Sequence, residues 1–137
     1  MALQLTDLLV ISRAGVLYKD AISAIYTLFG IVKGVSATCS GRPEASEVIL
    51  TAIAPYAFTV TQADCSAKAL TAATASSVFQ VRKNGTNMMT FTFAAAGTTA
   101  SNSAVSGGTI AVGDVISITA PATQDATLAN IAFLIVD

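Results

Sequence analysis

From Val78 to Phe93 the chain reads VFQVRKNGTNMMTFTF, two runs of alternating side chains joined by Asn84-Gly85. An Asn-Gly pair between alternating runs is the strongest short-range signal for a β-hairpin, because both turn positions demand positive φ angles that Asn and Gly accept. This hairpin sets the class of the C-terminal part as antiparallel β. Around it, strands are expected at Val48–Ile53, Ala57–Thr61, Ala67–Thr71, Val78–Lys83, Met88–Phe93, Val115–Thr119 and Ile131–Val136, with a weak one over Ala100–Val105. About eight strands with turn signals between them suit a double-sheet, jelly-roll-like β-sandwich.

Alternation also predicts the pleat. Phe58, Val60, Phe79, Val81, Met89, Phe91 and Phe93 would point inward, with Thr59, Thr61, Gln80, Arg82, Thr90 and Thr92 outward. The last strand, IAFLIV, is apolar on both faces, which a strand with one face in water would not be. Its second face, carrying Leu134 and Val136, is therefore expected to pack on a neighbouring subunit.

Composition points the same way. Of 137 residues, 53% are apolar and 11% charged, against about 25% charged in an ordinary soluble domain. With a mean hydropathy of +0.68, a monomer of this size has too little interior to hide its apolar surface. An obligate oligomer or a component of a larger assembly is expected. A net charge of -1 gives no attraction to nucleic acid or to an acidic bilayer.

The N-terminal part reads as an appendage. Asp7–Ser12 and Val16–Lys19 form two short apolar strands about Arg13-Ala14-Gly15, and Asp20 can cap a short helix carrying Ile22, Ile25, Tyr26 and Phe29, with Gly30 as its stop. An isolated hairpin is marginal in water, so this one must dock. The pattern alone fits an attachment arm over 1–34 or a segment completing the main core. Residues 35–46, small, polar and broken by Gly41 and Pro43, read as a linker, and 47–137 as the β-sandwich knob. The apolar run Ala21–Val32 stops at Lys33, short of the ~20 residues a spanning helix needs, and Asp20 abuts it where a signal peptide would be basic. Synthesis in the cytoplasm without a membrane partner is expected.

No catalytic constellation is visible. The chain has no histidine, the usual general base and commonest metal ligand. Its carboxylates, Asp7, Asp20, Glu44, Glu47, Asp64, Asp114, Asp125 and Asp137, are scattered one per element. Asp114 and Asp125 stand at turns, where Asp bonds local amides more readily than it ligates calcium. Gly107-Gly108 lacks the surroundings of a phosphate loop, and Asn84-Gly85-Thr86 is explained by its turn rather than by glycosylation. Cys39 and Cys65 match no metal or redox spacing and read as core residues, with a disulfide left open. Neither an enzymatic activity nor a cofactor or metal is expected.

The C-terminal stretch resembles the small β domain that ends many tailed-bacteriophage virion proteins. The likeness lies in Lys83-Asn84-Gly85, the phenylalanine-rich strand leading to Ala95-Ala96-Gly97-Thr98-Thr99, Gly113-Asp114 before Ile118-Thr119-Ala120-Pro121, then Asp125-Ala126-Thr127-Leu128-Ala129-Asn130 and the final apolar strand. The N-terminal DLLVISRAGVLYK is similar to the attachment segments of phage fibre and decoration proteins.

The resemblance implies a non-enzymatic, trimeric virion component, bound to the major capsid protein or another virion protein. With no shaft or repeat between arm and knob, a capsid decoration or cement protein on the head surface comes first. A short head or tail fibre with a host-surface or carbohydrate-binding β-sandwich is the alternative. Arms carrying Leu8, Val10, Leu17 and Tyr18 would clamp the shell, while knobs associate through Leu134 and Val136. A carbohydrate-binding jelly roll, for which a surface glycan would be the ligand, lacks the expected tryptophan. A trimeric ligand of the tumour-necrosis-factor type would want a secretory or anchor segment that is not visible.

Overall fold

The Asn84-Gly85 hairpin forms as the sequence demands, joining β5 (Ser77–Lys83) to β6 (Thr86–Phe93) with Lys83 facing Thr86 across a two-residue turn. Asn84 has φ 49° and Gly85 φ 82°, the left-handed pair that matches the twist of the flanking strands. The computed structural model of the chain describes residues 33–137. The expected hairpin and helix of the arm, with Leu8, Val10, Leu17 and Tyr18, lie outside the described residues.

Eight further strands accompany the hairpin: β1 (Gly34–Cys39), β2 (Val48–Ile53), β3 (Phe58–Thr59), β4 (Ser66–Thr71), β7 (Ser101–Asn102), β8 (Thr109–Ile110), β9 (Val115–Thr119) and β10 (Ala129–Val136). They form a five-stranded sheet in the order β2-β9-β5-β6-β7, a three-stranded sheet β1-β10-β4 and a small pair β3-β8. Every pairing is antiparallel. The protein is thus mainly β, with no helix among the described residues.

Residues 35–46, expected as a linker, begin instead with a strand. β1 pairs with β10 along its whole length, from Gly34↔Val136 to Cys39↔Ile131, and the compact unit starts at Lys33 rather than Glu47. Val35, Ala37 and Cys39 turn toward the core, but such small side chains alternate too weakly to stand out in sequence beside Gly41 and Pro43. β8 likewise went unforeseen, since two residues carry no periodicity.

The buried side chains come from both large sheets. Phe79, Val81, Met89, Phe91, Phe93, Ile116 and Ile118 line the inner face of the five-stranded sheet, and Ile131, Phe133 and Ile135 with Ala67 and Ala69 line that of the three-stranded one. The rings of Phe133 and Phe79 lie 5.2 Å apart and those of Phe133 and Phe91 5.7 Å. Phe79 meets Phe93 edge-on at 5.8 Å, the geometry that the ring quadrupole favours. The small alanines of β4 leave room beside Phe133, its cross-strand neighbour being Ala67.

One departure from strict alternation has a local cause. Val81 pairs with Met89 but Arg82 pairs with Asn87, so β6 carries one extra residue, Met88. This β-bulge lets consecutive residues face inward, and Met88 and Met89 are both buried. The Met88 carbonyl, released from the ladder, accepts the Ser106 amide at 2.9 Å.

Removal of the Phe133 ring should therefore cost more than any change on the outward side of the same strand. Phe133→Ala is expected to lower stability by about 3–5 kcal/mol through cavity formation. Leu134→Ala, one residue along, should cost under about 1 kcal/mol. Urea unfolding followed by circular dichroism distinguishes the two.

Candidate interaction surface

The outward face of the three-stranded sheet follows from the register. Ser36, Leu134 and Ser66 form one cross-strand row and Thr38, Ala132 and Lys68 the next; all six are exposed. Leu70, next outward on β4, is 84% exposed. Lys68 is the one charge in these rows. Two shallow depressions on this face, of about 400 and 280 Å³, share Lys68 and Ala132 in their lining. A face of hydroxyls, methyls and two leucines with a single cation has little polar surface to desolvate, so it can be covered cheaply.

The two interface residues expected on β10 differ in kind. Leu134 is 41% exposed, whereas Val136, on the same side of the strand, is 8% exposed. Gly34 stands opposite Val136. Gly34 has no side chain, and a Cβ placed there would come within 2.6 Å of Val136 Cγ1. The Val136 side chain packs on the Gly34 backbone and is buried, which leaves Leu134 as the outward contact. Leu70 was missed, although its alternation with the inward Ala67 and Ala69 could have marked it.

Strand ends are tied by side chains where the ladders stop. Asp125 accepts the amides of Thr74, Ala75, Thr127 and Leu128, at 2.8 to 3.0 Å, and so fastens the loop before β10 to the turn between β4 and β5. Partial burial opposes its ionisation, but the amides of Leu128, Thr127, Thr74 and Ala75 outweigh this and hold the carboxyl well below the usual carboxylate range. Arg42 braces the same loop, donating to the Ala126 carbonyl at 2.6 Å and to Gln124 Oε1 at 3.3 Å.

The hairpin tip is tied in the same manner. Asn84 donates from Nδ2 to Asp114 Oδ1 at 2.7 Å, its Oδ1 accepts the Val115 amide at 2.8 Å, and Asp114 Oδ2 accepts the Ala111 amide at 2.8 Å. The Ala111 amide first, and Asn84 second, hold the Asp114 carboxyl below the usual carboxylate pKa. Both aspartates expected at turns thus bond backbone amides there.

Cys39 and Cys65 are free and buried. Burial raises both thiol pKa values, helped by Glu47 at Cys39 and by Asp64 at Cys65, where the Val136 backbone opposes it. A buried thiol kept protonated is a poor nucleophile. Among the described residues no three His, Cys, Asp or Glu side chains gather as a metal site, and no helix is long and apolar enough to cross a membrane.

Comparison of the chain with protein-family models, with curated proteins and with solved structures finds no match.

The Asp125 cage makes stability depend on pH. Its folded-state pKa lies below the unfolded value of about 4, so its contribution is complete above that value and is lost as the pH falls below it. Urea midpoints should be flat from neutral pH to about 5 and then decline on acidification. Asp125→Asn, which sets an NH2 group against backbone donors, should lose about 1–2 kcal/mol at pH 7, the solvent-screened end of the range for charged hydrogen bonds. Its deficit relative to the parent should shrink in acid.

Proposed function

We propose that the protein is a non-enzymatic structural component of a tailed-phage virion, an oligomeric decoration or cement protein whose jelly-roll-like β-sandwich sits on the head surface. The observation that carries this reading is the nearly uncharged outward face of β1-β10-β4, where Leu134 and Leu70 stand among Ser36, Thr38, Ser66 and Ala132. Such a face suits burial between identical knobs, and the apolar composition of the whole chain asks for that cover. The resemblance of the hairpin, the Gly113-Asp114 turn and the last strand to phage virion domains supplies the biological setting.

On this reading the knobs trimerise through the three-stranded sheet, and residues 1–34 lay Leu8, Val10, Leu17 and Tyr18 on the major capsid protein. Many copies of a weak contact then hold the shell by multivalency. No chemical step is involved.

Two measurements test the proposal. In sedimentation, the parent chain should run as a trimer and Leu70→Arg/Leu134→Arg as a monomer with unchanged circular dichroism, because cations would be trapped in an apolar interface. A monomeric parent chain at micromolar concentration would remove the oligomer from the reading. Electron microscopy of the parent particle with an antibody against residues 47–137 should label the head densely; label confined to the tail would replace decoration by a short fibre.

A further inference from the structure

A second surface, on the opposite sheet, has a different chemistry. Gln80 pairs with Thr119 at the end of the β5-β9 ladder, and beyond Thr119 the chain leaves β5. The Ala120 amide bonds the Glu47 carbonyl and the Pro121 carbonyl takes the Ser46 amide, both at 2.8 Å. The departing segment opens a groove of about 470 Å³ between β5 and the loop after β9, within the range of about 300–1,000 Å³ typical of small-ligand sites.

The groove is lined by four hydroxyls, from Ser46, Ser76, Thr119 and Thr123, with the Gln80 amide and the Arg82 guanidinium. Val78 and Pro121 add apolar patches between them. Residues 78, 80 and 82 reach this side because alternate residues of β5 face out while Phe79 and Val81 face the core. Among the described residues no carboxylate lines the groove. Arg82 donates through one terminal nitrogen to Gln80 Oε1, and among the described residues it forms no ion pair. Its remaining donors keep the planar fork that fits a carboxylate. The bond to Oε1 also orients the Gln80 amide nitrogen, with two donors of its own.

The wall opposite β5 is held in place before any ligand arrives. Its continuation is fastened by Asp125 to the amides of Thr74 and Ala75, two residues and one residue ahead of Ser76, and braced by Arg42. Both rims are therefore anchored to each other, and a preformed site loses little to ordering on binding.

We propose that this groove is a binding site for an acidic saccharide. The sugar carboxylate pairs with Arg82, ring hydroxyls exchange hydrogen bonds with Gln80, Ser76, Thr119 and Thr123, and ring C–H groups rest on Val78 and Pro121. A guanidinium among neutral hydroxyls selects a carboxylate carried by a polyol; an apolar acid would leave the four hydroxyls unpaired. With no aromatic platform among the described lining residues, each site is weak, and several sites on one multivalent ligand or assembly would add through multivalency. The proposal rests on the groove alone and does not depend on the virion role.

The test is a nuclear magnetic resonance titration of the isotopically labelled full chain with trigalacturonic acid, its methyl ester and maltotriose, up to about 10 mM, a range that detects millimolar binding. The acid should shift the amides of residues 76–82 and 119–123 saturably, while its methyl ester and maltotriose bind at least about tenfold more weakly. Arg82→Gln should weaken the acid by a similar factor, and Arg82→Lys, which keeps charge without the fork, by less. Undisturbed spectra away from β5 would show that each variant is folded. An absence of shifts with the acid, shifts clustered elsewhere, or equal affinity of parent and Arg82→Gln would each overturn the assignment.

Discussion

Phe133 stands where the two large sheets exchange contacts, with the Phe79 and Phe91 rings at 5.2 and 5.7 Å. Most of what can be said of the surfaces follows from satisfying this aromatic centre. Each strand that contributes to it must present alternate residues inward, which fixes register because a slip by one would turn every ring into water. The phenylalanines at 79, 91, 93 and 133 thus dictate which residues remain outside. On β5 those are Val78, Gln80 and Arg82; on β10 they are Ala132 and Leu134.

Few charged residues are available, and several are used to close the ends of the structure. Asp125 gathers four backbone amides, and Asp114 joins Asn84 in holding the hairpin tip against the turn before β9. These carboxylates satisfy donors where ladders stop, which the chain must do because unpaired amides near a core are costly. One consequence is a distribution of charge toward turns, with the sheet faces left nearly neutral.

The two outward faces diverge within that common plan. On β1-β10-β4, small residues and two leucines make a surface suited to another protein, the basis of the proposed oligomer. Across the molecule, threonines, serines, Gln80 and Arg82 make one suited to hydroxyl-rich ligands. The difference arises from side chains that the core does not constrain, since either face would serve the fold equally well. A protein that assembled through one sheet and offered the other outward would present its groove once per subunit.

Much of the fold was legible in the sequence because its signals are local. Asn84-Gly85 specifies its turn through two φ angles, and strict alternation names Phe79, Val81, Met89, Phe91 and Phe93 as core, as found. β2 and β9 fall on their expected bounds. What stayed hidden depends on distant partners. β1 is a strand because β10 lies beside it, Val136 packs on the backbone of a distant glycine, and Met88 turns inward because a bulge shifts the ladder. Asp125 could be placed at a turn from sequence, but its four amides come from segments about fifty residues apart, and the groove beside Arg82 exists only where β9 parts from β5. Alternation and turn preference are properties of neighbouring residues, so the sequence alone determined strands, turns and core side chains. Pairing partners, and the surfaces that pairing leaves open, involve residues brought together only by folding, so the tertiary structure alone decided them.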